Sequence, residues 1–208
     1  MEVTAEALAY WYLRLNGCLT IRNFIIHPEW RREGPGTDAD ILAVRFPHRR
    51  ELVRRPLRDD PWFELFGDRI LLIIAEVKRS VCDLNGPWTE PSKENVGKVL
   101  SAIGIFRQPK IGLVTRQLYE SGLYESRSTV AVLLTFGEQE NSKLAERYPA
   151  VRQILWQHVA SFMYTRFSDY KREKAWHQPW DQFGHGLYEL ASTARSVDHF
   201  ARSLIVVA

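Results

Sequence analysis

The sequence predicts a mixed α/β (α+β) protein, a central sheet flanked by helices with a helical C-terminal extension. Short apolar runs suited to strands alternate with stretches whose large apolar residues recur at helical spacing. Within "ILLIIAEVKRS", Ile70 to Ala75 are six consecutive aliphatic residues, the pattern of a strand covered on both faces. "STVAVLLTFG" at 128–137 repeats that pattern.

The elements follow in order. "TAEALAYWYLRLN" reads as a helix capped by Thr4, with Ala7, Leu8, Trp11, Tyr12 and Leu15 as its apolar stripe and Gly17 as its stop. "CLTIRNFIIH" is the first strand, "PEWRREGPGT" a Gly/Pro-rich loop, and "DADILAVRF" the second strand. Residues 47–68 carry "HRRELVRRPLR" and form an insertion, either a helix or an irregular lobe. The third strand spans 70–77 and leads into the turn-rich "CDLNGPWTEPSKEN". Helices follow at "NVGKVLSAIGIF", capped by Ser92 or a neighbour, and at "GLVTRQLYES". After the fourth strand, helical spacing runs from 149 to about 174, and the tail from 186 forms one more helix. Residues 1–148 are thus expected to form the core, and 149–208 a helical extension packed on it.

Composition narrows the function classes. A chain of 208 residues with 45% hydrophobic and 25% charged residues fits one ordinary globular domain. A net charge of +3 permits a nucleic-acid partner without demanding one. Two cysteines outside any metal-type spacing, and no secretory signal, lead us to expect a reducing cytoplasm. No apolar stretch approaches the roughly 18 residues of a membrane span, so no membrane partner is expected. Six histidines lack paired ligand spacing, which argues against zinc. "GPGTD" lacks the Lys-Ser/Thr of a phosphate loop.

The chemistry concentrates at the end of the third strand. Side chains alternate along a strand, so Glu76 and Lys78 share one face. Two charges at the edge of a core are costly unless they pair or bind something charged. They form either a structural ion pair or a site for a metal and a phosphate. Asp40 opens the second strand, and antiparallel pairing would set it beside Glu76. Adjacent carboxylates repel unless a cation lies between them. Mg²⁺ suits such a pair, because it takes oxygen ligands, keeps waters and needs only one or two carboxylates. The Val77 carbonyl is a third candidate oxygen, and Asp38 an alternative ligand ranked below Asp40.

"D-ILAV … IIAEVK" resembles the Asp…Glu-x-Lys signature of the PD-(D/E)xK, restriction-endonuclease-like nucleases. "RLNGCLTIRN", with Glu6 on the helix before it, is similar to the helix–Gly–strand opening of Holliday-junction-resolvase-type members. The resemblance covers about residues 4–106. Ala39 stands where the signature has proline, the interval from Asp40 to Glu76 is long, and no Gln follows on the next helix. The resemblance implies a restriction-endonuclease-like sheet and a Mg²⁺- or Mn²⁺-dependent endonuclease acting on DNA, as a homodimer or with a partner protein. Asp40, Glu76, Lys78 and Glu6 would be its catalytic set, with Asp40, Glu76 and the Val77 carbonyl on the metal. Glu6 either holds a second ion or a metal-bound water, or simply favours its helix dipole. Arg49, Arg50, Arg54, Arg55 and Arg58 form either a solvated face or a phosphate-tracking arm, with Lys93 a further candidate. Trp88 is either a hydrophobic plug or a stacking residue. The competing expectation is an inactive nuclease fold whose aromatic-rich C-terminal half docks a partner.

Overall fold

The computed structural model describes residues 4–27, 37–52, 54–175 and 181–205. Among these, six strands form one mixed sheet flanked by helices. The strands are β1 (Leu19–Ile26), β2 (Thr37–Arg45), β3 (Ile70–Val77), β4 (Leu123–Glu125), β5 (Thr129–Gly137) and β6 (Arg152–Leu155). They lie in the order β1-β2-β3-β5-β4, with β6 pairing β5 beyond the end of β4. β1, β2 and β3 are antiparallel neighbours, whereas β5 runs parallel to β3.

The helices are α1 (Ala5–Leu15), α2 (Pro61–Glu64), α3 (Gly86–Thr89), α4 (Asn95–Ile103), α5 (Gln108–Ser121), α6 (Ser142–Arg147), α7 (Trp156–Asp169), α8 (Lys171–Ala175), α9 (Gln182–Thr193) and α10 (Val197–Ile205). Alternation along β3 sends Leu71, Ile73, Ala75 and Val77 to one face, against α1, α7, α9 and α10. Leu72 and Ile74 go to the other, against α3, α4 and α5. Both faces are covered, which is why β3 and β5 read as unbroken apolar runs. The parallel step from β3 to β5 needs a long crossover, and α4 and α5 supply it.

The expected elements shift in informative ways. Thr4 caps α1 as anticipated, accepting from the Ala7 amide at 3.2 Å. Ser92 does not cap α4: the preceding residue is Glu94, in a left-handed conformation with no side-chain cap bond. β4 and β6 were not anticipated. β6 sits inside the stretch read as continuous helix from 149, because "RQIL" is too short to betray a strand beside a real helix. The tail forms two helices, α9 and α10, broken at Ala194–Ser196. The loop expected at 28–37 lies outside the described residues apart from Thr37, the first residue of β2. The C-terminal aromatics Phe167 and Phe200 are buried in the core, so they offer no docking surface. No helix among the described residues is long and apolar enough to cross a membrane. Cys18 and Cys82 are free and buried, and burial pushes their thiols up to about 12 and about 11.

The basic insertion is irregular apart from the single turn of α2, and it is bound to the core through adjacent aspartates. Asp59 accepts from Arg45 at 2.8 Å, Arg49 at 2.9 Å and Arg166 at 3.1 Å. Asp60 accepts from Tyr12 Oη at 2.9 Å and the Trp62 amide at 3.0 Å, and it pairs with His158. Burial pushes the Asp60 carboxyl up, but the His158, Trp62 and Tyr12 bonds outweigh it and hold the group below the usual range. Arg166 is 2% exposed and also donates to the Leu15 carbonyl at 2.9 Å and to the Arg58 carbonyl. It thereby joins α1, the insertion and α7. Replacing Arg166→Met strands two carbonyls and unbalances Asp59, so urea unfolding should show a loss of about 3 kcal/mol. A loss within error would mean that the surrounding arginines compensate.

Candidate active site

The site begins where the sheet splits. β2 and β3 pair from Arg45↔Leu71 up to Ile41↔Ala75, and the ladder stops there. The next pair in that register would be Asp40 with Glu76. Instead the Val77 amide donates to Asp40 Oδ2 at 2.7 Å, so a side-chain carboxylate occupies the place of a backbone acceptor. A strand residue's N–H and C=O point to the same side, so the Val77 carbonyl faces the same gap. On its other edge β2 is also disturbed at this level. Between Arg22↔Ile41 and Phe24↔Ala39 sits Asn23, whose φ of 51° is left-handed. Asparagine tolerates that conformation better than most residues.

Glu76 lies opposite that gap and is 3% exposed. Its Oε1 accepts from Lys78 Nζ at 2.7 Å and from Asn85 Nδ2. Its Oε2 accepts from the Trp88 indole at 2.7 Å. Lys78 Nζ also donates to Asn85 Oδ1 at 2.7 Å. Burial is the largest influence on Glu76 and pushes its carboxyl up. The Asp40 charge adds to this, while the Lys78 and Trp88 bonds oppose it. Asp40 is also pushed up, first by burial and then by the Asp38 and Glu6 charges, against the Val77 amide and Lys78. Asp40 thus feels the charges of Glu6 and Lys78, and Glu76 those of Asp40 and Lys78. Glu6 lies in the first turn of α1, at this end of the sheet.

Backbone anchoring sets these positions. The Lys78 amide donates to the Phe136 carbonyl at 3.0 Å, and Trp156 Nε1 donates to the Lys78 carbonyl at 3.1 Å. Thr135, opposite Glu76 in β5, exchanges bonds with Asp83 at 2.9 and 3.2 Å and so pins the loop that carries Asn85. Gly137 makes this crossing possible: a Cβ there would stand 2.7 Å from the Cys82 backbone nitrogen.

The basic candidates divide. Arg49 is committed to Asp59 and to Glu51 at 2.7 Å. Arg50, Arg54, Arg55 and Arg58 are exposed, on the connection that leaves β2 after Arg45. Asp40 and Arg45 are separated by five residues of strand, roughly 17 Å. The structure thus puts the arginine run at the opposite end of the sheet and does not bring it beside the carboxylates. Lys93 lies at the carboxylate end, paired with Glu90 at 3.1 Å over Gly86. Trp88 is 1% exposed and holds Glu76, which makes it a plug rather than a stacking platform. Sequence reasoning did not find Asn85. The available signal was an Asn-Gly turn nine residues after a strand-end glutamate.

The donor set for a cation is two carboxylates and a carbonyl, all hard oxygens. Among the described residues no three His, Cys, Asp or Glu side chains gather to hold a metal. A hard ion that keeps its waters needs only one or two carboxylates, and a cation would relieve the mutual repulsion of Asp40 and Glu76. The residues fit Mg²⁺ or Mn²⁺ on that chemistry.

Asp40→Asn keeps an acceptor for Val77 but removes the charge. Because the folded-state pKa of Asp40 is raised, ionising it costs the folded state stability as pH rises through the carboxylate range. The variant should unfold at a higher temperature than wild type at neutral pH, and the gap should close in acid, where Asp40 is protonated in both states. Thermal unfolding from about pH 3 to about pH 8 checks this, and a destabilised variant at neutral pH would contradict it. Compared with protein-family models, curated proteins and solved structures, the chain finds no match in any of the three.

Proposed function

We propose that the chain is a divalent-cation-dependent nuclease that hydrolyses phosphodiester bonds, with DNA as its substrate class. The observation that carries this reading is the convergence of Asp40, Glu76, the Val77 carbonyl and Lys78 where β2 parts from β3. A sheet with a helix-first opening and the Asp…Glu-x-Lys positions at one end supports restriction-endonuclease-like as the finer description of the fold.

Asp40, Glu76 and the Val77 carbonyl would hold the ion. A bound Mg²⁺ or Mn²⁺ supplies positive charge for phosphate oxygens and makes a water more acidic. Lys78, 26% exposed at its side chain, would be placed to donate to a water or to a non-bridging phosphate oxygen once it leaves Glu76. Glu6 acts through its field on Asp40. Lys93 can meet the phosphate backbone from the same end of the sheet.

One observation favours a second reading, an inactive nuclease fold that serves as a binding subunit. Both Glu76 oxygens already have donors, as a purely structural ion pair requires. Incubation of plasmid and linear DNA with the protein and Mg²⁺ or Mn²⁺ separates the two. Wild type should cleave, and Asp40→Ala and Lys78→Ala should each lose about 100-fold or more. Equal cleavage by all three would signify contamination, and no cleavage by wild type would favour the binding subunit.

A further inference from the structure

We propose that Asn85 is a positioning residue that gates cation entry at Glu76. Its carboxamide holds the Glu76–Lys78 pair closed in the resting protein, and a divalent ion takes Glu76 Oε1 only when that carboxamide swings out. The proposal rests on the metal-site reading above and adds how that site is controlled.

The donors around Glu76 are not equivalent. The Trp88 indole can only donate, it is 1% exposed, and Oε2 is its partner. Moving it would open the core on the α4 side, where Trp88 packs with Val96, Val99 and Leu100. Oε2 therefore sits against a fixed donor inside the core, and Oε1 is the oxygen whose donors stand on the solvent side, on exposed Asn85 and partly exposed Lys78. Lys78 and Asn85 share Oε1.

The orientation of Asn85 follows from its partners. A carboxylate only accepts and an ammonium only donates, so Nδ2 must face Glu76 and Oδ1 must face Lys78. Both ends of this one amide are thus spent on the ion pair. Asn85 occupies the N-cap position of α3, yet its side chain makes no cap bond, so releasing it costs the helix nothing. The residue is exposed, and its backbone is held in place by the Thr135–Asp83 exchange and the bridge between Val81 and Gln139. Rotation of the side chain alone opens the pair. The same rotation takes away one of the two acceptors of Lys78 Nζ, leaving that ammonium readier for a phosphate.

Calorimetric titration with MnCl₂ of wild type, Asn85→Ala, Trp88→Phe and Glu76→Gln tests this without any cleavage assay. Asn85→Ala should bind roughly tenfold more tightly, because one hydrogen bond to a charged group no longer has to be displaced. Trp88→Phe should bind more weakly than wild type, since the carboxylate loses its fixed end. Thermal unfolding checks that this core variant folds, and the exposed Asn85 variant decides the matter if it does not. Glu76→Gln should abolish uptake. Uptake seen only in Asn85→Ala, and lost again on adding Glu76→Gln, would be the strongest support. If Glu76→Gln abolishes uptake but Asn85→Ala binds no tighter than wild type, the gate is wrong and the metal site stands. If Glu76→Gln keeps wild-type affinity, or neither wild type nor Asn85→Ala takes up Mn²⁺, the metal site itself is wrong and the gate falls with it.

Discussion

The Val77 amide donating to Asp40 rather than to the backbone of β2 is the contact on which the site depends. A backbone N–H at the edge of a core must find an acceptor, and in an intact ladder it would find one on the neighbouring strand. Here β2 leaves β3 after Ile41↔Ala75, and the Asp40 carboxylate takes up the orphan donor. That substitution opens the sheet, fixes one carboxylate oxygen and turns the Val77 carbonyl toward the gap. It also brings a second carboxylate, Glu76, within the first one's field. A sheet that stayed paired for one more step would have no such notch.

Opposite ends of the sheet resolve buried charge differently. Around Asp59 and Asp60, carboxylates meet arginines, a tyrosine and a histidine, so the charges are matched and their role is to bind the insertion and α7 to α1. Around Asp40 and Glu76, acidic groups outnumber Lys78, the nearby ammonium, and both carboxyls are pushed up. The first arrangement is what structural stability asks for. The second leaves negative charge imperfectly matched, and perturbed carboxyls of this kind are the pattern on which the proposed cation site rests. Burial of Glu76 sharpens this, because the cost of an unmatched charge rises as water is excluded.

Much of this was legible in the sequence. The unbroken aliphatic runs of β3 and β5 report burial on both faces, and Glu-Val-Lys at the end of such a run cannot be surface decoration. Asp40 ahead of "ILAV" gave the second carboxylate, because antiparallel pairing of consecutive strands is the simplest way to place them together. What remained hidden depends on long-range contact. Four residues of β6 carry too little periodicity to be separated from α7, and β4 is shorter still. Arg49 within an arginine-rich run reads as an arm for phosphate. Nothing local announces that Asp59 will claim it, although chain order with antiparallel pairing already sets the segment at the ends of β2 and β3 away from Asp40 and Glu76. Asn85 and Trp88 are invisible as ligands of Glu76, since nine and twelve residues of turn must fold back before they meet it.

The proposed site holds one divalent cation between Asp40, Glu76 and the Val77 carbonyl. Crystals of the protein grown with Mn²⁺, and an anomalous difference map recorded on them, test it most directly. One strong peak is expected in the notch between β2 and β3, bounded by those oxygens and with the Asn85 carboxamide turned away. A map that is flat there while Asn85 still bridges Glu76 and Lys78 would contradict it.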